Sequence, residues 1–145
     1  MSVDAGHRLF EHTADLGIEA WAPALAGLLA EAAHGLLETI YDRERVAGTE
    51  RRAIAVLGDD EEDLVVRFLE ELHFRFETER FAYREVARVA VDAAHRPLSA
   101  EAELDGEPFD AERHGYRRAV KAVTYHGLEV ERTPEGLRAR IILDI

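Results

Sequence analysis

The chain has 145 residues, with 30 Asp+Glu against 18 Lys+Arg, a formal net charge of −12. That length suits one domain spanning 1–145 with a full hydrophobic core, and 47% hydrophobic content excludes a disordered chain. With no Cys there are no disulfides, no thiol nucleophile and no cysteine metal site. The longest apolar stretch, Leu25 to Leu37, is broken by Glu31 and His34 and falls short of the roughly 18 residues of a membrane span. Met1 to Arg8 shows no basic-then-apolar leader, so a soluble, cytoplasmic protein is expected.

Residues 8–21 read as a hairpin or two short strands around Thr13-Ala14-Asp15, with Leu16, Ile18 and Ala20 alternating with Gly17, Glu19 and Trp21. A first helix is expected over 23–41, with Pro23 in its first turn. Leu25, Leu28, Leu29, Ala32, Ala33, Leu36, Leu37 and Ile40 make one apolar face. A strand follows at 50–57. Asp59 to Asp63 then supply the acids that favour a helix start, and a second helix is expected from about Asp60 to Thr78, with Leu64, Val65, Phe68, Leu69, Leu72 and Phe76 inward. The remainder reads as β-structure: 81–92, then Leu98 to Leu104 before a turn at Asp105-Gly106-Glu107-Pro108, then 117–131. A turn at Thr133 to Gly136 leads into a final strand in which Leu137, Ala139, Ile141 and Leu143 alternate with Arg138, Arg140, Ile142 and Asp144. Two early helices and several later strands predict an α+β domain, with the helices packed on a mostly antiparallel or mixed sheet.

Charge and residue inventory narrow the chemistry. A strongly acidic chain repels phosphate backbones, so direct nucleic-acid binding is disfavoured and a basic protein partner is expected. Arg51-Arg52, Arg117-Arg118 and Arg138/Arg140 read as solvated strand positions. Only Ser2 and Ser99 carry a serine hydroxyl, neither in a nucleophile elbow, and there is no phosphate-cradling loop. Of the 18 basic residues, the only lysine is Lys121. Arg replaces Lys on solvated surfaces but not where a compact ammonium is needed, so Lys121 is either a functional residue or a remaining salt-bridge partner.

Three segments stand out. Glu11-His12-Thr13-Ala14-Asp15 offers carboxylate, hydroxyl and imidazole for a cation, or a turn in which Asp and Thr satisfy the backbone. Lys121-Ala122-Val123-Thr124-Tyr125-His126, as a strand, would put Lys121, Val123 and Tyr125 on one face. At the end, Leu143-Asp144-Ile145 carries an acid that a core strand does not need. Oxygen donors of this kind suit a hard cation such as Ca²⁺ or Mg²⁺, or they belong to a solvated chain end. His34 and His73 fit helix positions with local roles. His12, His114 and His126 lack close zinc spacing.

Together these segments resemble the archease family, over nearly the whole chain. The shared features are His12-Thr13-Ala14-Asp15 with Leu16-Gly17-Ile18, the amphipathic first helix, Leu64 to Leu72, Lys121 to His126 with Leu128 and Val130, and the ending Leu143-Asp144-Ile145. The resemblance implies a non-enzymatic activator of an RtcB-type, GTP-dependent RNA ligase in tRNA splicing, one that promotes guanylylation of the ligase and repeated turnover. It also implies a divalent cation, Ca²⁺ first, with Mg²⁺ or Mn²⁺ as alternatives, held by Asp15, Asp144 and a main-chain or terminal oxygen of Ile145. Lys121 matches the family's functional lysine, though Arg117, Arg118 and Ala119 stand where the family often has an acid. Two other readings are a chaperone or modulator of an RNA methyltransferase, and a divalent-metal hydrolase using Asp15, Asp144 and His12 or His126.

Overall fold

The computed structural model describes residues 4–12 and 15–145. Strands β1 (Gly6–His12) and β2 (Asp15–Ala22) form the expected hairpin. Thr13 and Ala14 lie outside the described residues, as do Met1, Ser2 and Val3. Helix α1 (Leu25–Ile40) starts later than expected. Ala24 is its N-cap and Pro23 precedes the helix. No side chain caps that end and its first turn has no acid, so packing holds it. Leu28, Leu29, Ala32, Ala33, Leu36, Leu37 and Ile40 are all buried, as their spacing predicts.

After a short 3₁₀ turn at Arg43–Arg45 come β3 (Glu50–Gly58) and α2 (Glu61–Glu79). The acids before α2 cap it: Asp60 accepts from the Asp63 N–H at 2.8 Å, and Asp63 accepts from the Asp59 N–H at 2.8 Å. All six predicted inward residues of α2 are buried, and Val66 joins them. The helix ends at Arg80, whose backbone is left-handed (φ 51) and whose guanidinium covers Phe76 and Phe109.

Strands β4 (Phe81–Asp92), β5 (Leu98–Pro108), β6 (Ala122–Thr133) and β7 (Gly136–Asp144) complete the chain. β5 corrects one expectation, because it runs straight through the turn expected at 105–108. Asp105 is held in the strand by Arg51 of β3 at 2.8 Å. Gly106 serves a close approach instead of a reversal: a Cβ there would meet the Ala82 carbonyl at 2.0 Å. β6 corrects another. It begins at Ala122, so residues 117–121, including Lys121, precede the strand.

The strands make two sheets in place of the single one expected. One has the order β1-β2-β7-β6, the other β3-β5-β4, and every pairing among the described residues is antiparallel. α1 contacts β1, β2 and β7 of the first sheet and β4 of the second; α2 contacts β6 of the first and β3, β4 and β5 of the second. Each helix therefore bridges the two sheets, and one continuous core joins them. Among the described residues no helix is long and apolar enough to cross a membrane.

Candidate functional site

Strand register gathers the three segments singled out in the sequence. In the four-stranded sheet His12 pairs with Asp15, Leu16 with Leu143, and Ala122 with Asp144. The β2–β7 register ends at Leu16 and Leu143; continued one step it would bring Asp15 opposite Asp144. Leu143 faces the helices and is fully buried. Side chains alternate along a strand, so Asp15 and Asp144 project from the helix-free face. Directly opposed residues on one face stand about 5 Å apart at Cβ. The start of β2 and the end of β7 thus each bring an acid to the same end of one sheet.

The row beneath is apolar. Phe10 pairs with Gly17, Gly17 with Ile142, and Ile142 with Thr124. The Phe10 ring lies flat over Gly17, where a Cβ would come within 2.1 Å of it, and the Arg140 guanidinium covers the ring at 4.4 Å. This explains why Ile142 is 1% exposed although it alternates with the inward residues. Thr124 Oγ1 donates to the Ile142 carbonyl at 2.9 Å. A packed, mostly apolar row therefore lies next to the acids. A shallow depression lined by Arg8, Glu19, Trp21 and Arg138 lies toward the opposite end of the same sheet.

Lys121 reaches this end through its backbone. Its N–H donates to the Asp144 carbonyl at 2.7 Å, so the lysine and the acid are tied main chain to main chain. Lys121 and Asp144 are exposed. Among the described residues neither charged group has a hydrogen-bonded or ion-paired partner, which leaves both open to an incoming molecule. The segment before Lys121 is fixed at α1: the Arg117 N–H donates to Ile40, and the guanidinium donates to the Glu38 and Tyr41 carbonyls. Arg117 is thus a helix-end cap, where a solvated strand position was expected. Val120 is 3% exposed, and its carbonyl is bound by His73 of α2 at 2.6 Å.

Beyond Ala122 the strand is irregular between Thr124 and Glu129, with Gly127 at φ +67. The irregularity breaks the alternation expected for Val123 and Tyr125: Val123 is buried while Tyr125 is 53% exposed. The Tyr125 hydroxyl donates to Asp63 Oδ1 at 2.7 Å. Asp63 is held below the usual carboxylate range, first by the Asp59 N–H and then by Tyr125 and Arg67. The β6 bend is thereby fastened to the start of α2.

The histidines divide by role. His114 is fully buried. Its Nδ1 accepts from the Asp110 N–H, so its Nε2–H donates to Glu107 at 2.9 Å. Glu107 lies below its ordinary range, held first by the Ala47 N–H and then by His114. His114 is therefore committed to the loop it braces. His126 is exposed in the bent part of β6. His34 accepts the Val86 N–H across to β4, and His73 binds the segment next to Lys121; both roles reach beyond their own helices. Sequence reasoning missed this part of His73. The signal was its place one turn after Leu69 and one turn before Phe76 and Glu77, at the edge of the buried stripe.

The oxygens of Asp15, Asp144 and Ile145 match a hard cation in type, not a soft one. They are few for such an ion, and among the described residues no group of three or more His, Asp or Glu side chains is placed to hold a metal. An ion here would complete its shell from water or from a partner.

Comparison with known proteins agrees with this architecture. The model of the archease protein family (MTH1598/TM1083) matches residues 7–145. The protein archease of Pyrococcus abyssi is 33% identical over 137 residues, covering 94% of this chain and 96% of its own. That of Methanopyrus kandleri is 35% identical over 137 residues, covering 93% and 96%. The solution structure of Methanobacterium thermoautotrophicum protein 1598 superposes with a TM-score of 0.83 at 30% identity, covering 97% of this chain and 99% of the other. A Thermotoga maritima crystal structure, described as an archease and possible chaperone, shares the fold with a TM-score of 0.65 at 21% identity, covering 95% and 96%. An α+β protein of two helices and two antiparallel sheets is the class these features define. The chain belongs to the archease family.

Proposed function

We propose that this protein is an activator of an RtcB-type, GTP-dependent RNA ligase in tRNA splicing, and not itself a ligase. The observation that carries the reading is the meeting of Asp15, Asp144 and Lys121 at one end of one sheet, from three distant parts of a chain that belongs to the archease family. The net charge of −12 favours a basic, RNA-handling partner over RNA itself.

In this reading the exposed Asp144 and the half-buried Asp15 face the partner together. With a main-chain oxygen of Ile145 they would hold a divalent cation, Ca²⁺, Mg²⁺ or Mn²⁺. A bound cation would supply positive charge that neutralises phosphate oxygens. Lys121 offers a compact ammonium, with three donors, to a phosphate of the guanylate or to charge developing on it. The apolar floor of Phe10, Gly17 and Ile142 keeps the two acids in register while a partner docks.

The test is guanylylation of the cognate ligase over several turnovers, with GTP and Mn²⁺, in the presence and absence of this protein. Stimulation is expected, and Lys121→Ala is expected to reduce it by about 10- to 100-fold, the loss typical of one charge-stabilising donor. Absence of stimulation with a competent cognate ligase would overturn the reading. It would leave a methyltransferase-directed chaperone role, whose client binding survives loss of Lys121. Turnover of a phosphoester by the isolated protein would indicate the hydrolase reading instead.

A further inference from the structure

The peptide unit joining Val120 to Lys121 is held at both of its polar ends. Its carbonyl accepts from His73 Nε2 at 2.6 Å, and its N–H donates to the Asp144 carbonyl at 2.7 Å. A carbonyl oxygen only accepts, so the His73 proton sits on Nε2. That nitrogen also lies 3.3 Å from the Glu77 carboxylate one turn along α2, a second acceptor that favours the same tautomer. The His73 side chain is 16% exposed, and its helix is anchored by Leu69, Leu72 and Phe76, all buried. One planar group thus links a rigid helix, the lysine backbone and the strand carrying Asp144.

We propose that His73 is the positioning residue of the site: through this single peptide it sets where Lys121 stands relative to Asp144. The inference rests on the reading of Lys121 as the functional lysine. Lysine has a long, flexible stem, so its base must be fixed for its ammonium to be presented at a constant place. Residues 117–121 lie outside any strand, and Arg117 fixes only their start. The buried Val120 side chain and the Ala122–Asp144 pairing fix the two flanks of this peptide, and the Asp144 hydrogen bond holds its N–H; the tilt of its plane is left to the carbonyl end. His73 removes that freedom without touching the partner.

The experiment compares His73→Leu, His73→Gln and Lys121→Ala in the full chain. Two quantities are read: amide hydrogen exchange at Lys121, and the ligase guanylylation rate as a function of added protein. Gln carries a donor at nearly the same reach as Nε2, so it tests the hydrogen bond apart from the ring. In His73→Leu, Lys121 exchange is expected to rise about tenfold or more. Maximal stimulation should fall about tenfold, with the half-saturating concentration unchanged, as expected for misplacement and not for lost docking. His73→Gln should restore both. Unchanged Lys121 exchange in His73→Leu would overturn the proposal. So would full stimulation by His73→Leu where Lys121→Ala has lost it, or a failure of His73→Gln to restore either quantity. Full stimulation by Lys121→Ala would overturn the functional reading of the lysine, and the positioning role with it.

Discussion

His7 and His34, near each other between β1, α1 and β4, are driven to opposite protonation states. His7 presents Nδ1 to Glu31 at 2.8 Å and Nε2 to Glu38 at 2.6 Å. Carboxylates only accept, so both ring nitrogens donate and the ring is an imidazolium. The Glu38 hydrogen bond raises its pKa above the ordinary histidine value, against the opposing effect of burial. His34 accepts the Val86 N–H on Nε2 and is neutral there; burial, followed by the Arg43 charge, lowers its pKa to about 4. The linkage signs differ. The His7 contribution is complete below its unfolded pKa of about 6.5 and is lost as pH rises through its raised folded value. The His34 contribution is present above about 6.5 and is lost as pH falls toward its folded value. Between about pH 6 and about pH 9 the two contributions run in opposite directions, so the prediction is a difference: the urea midpoint of the wild type relative to His7→Ala should fall as pH rises. A difference between the two proteins that stays constant over that range would contradict the assignment. None of this was legible in the sequence, where His7 had no partner in view: Glu31 and Glu38 are brought to it by tertiary packing.

At the scale of elements, the two helices were the most legible part. Their apolar spacing is regular over several turns, and the Asp59 to Asp63 run marks the α2 start by a capping mechanism that the structure reproduces. The hairpins at Asp15 and at Thr133 to Gly136 were legible from their turn residues. The expected turn at Asp105 to Pro108 was not a turn, because Gly106 answers a contact from the neighbouring strand that has no local signature. Arg117 is similar: nothing near it in the chain indicates that it satisfies the last carbonyls of α1. Arg117→Ala should cost about 2 kcal/mol, the scale of hydrogen bonds from a charged donor, read as a lower denaturation midpoint. A change within about 0.5 kcal/mol would show that water replaces the guanidinium there.

At the scale of the whole molecule, the site depends on chain topology. The C-terminal strand β7 lies between β2, from the start of the chain, and β6, which follows the loop bearing Lys121. That order sets the acids side by side and ties the lysine backbone to one of them. The candidate residues were legible singly: Lys121 as the only lysine, Asp144 as an acid at the end of an apolar strand, Asp15 beside a turn. Their proximity was not, because strand order and register are non-local and only the family resemblance implied it. The sequence also suggested one sheet where there are two, since alternation marks strands without marking which strands pair.

If Asp15, Asp144 and Lys121 act as one unit on a partner ligase, the number of RNA ligation turnovers per ligase will show it, measured with GTP and Mn²⁺ in the presence of wild type, Asp144→Asn, Lys121→Ala and the double variant. Many turnovers are expected with wild type, few with either single variant, and a double variant no worse than the more damaged single, because groups acting together are lost together. Equal turnover with and without wild-type protein, or two single losses that multiply in the double variant, would contradict it.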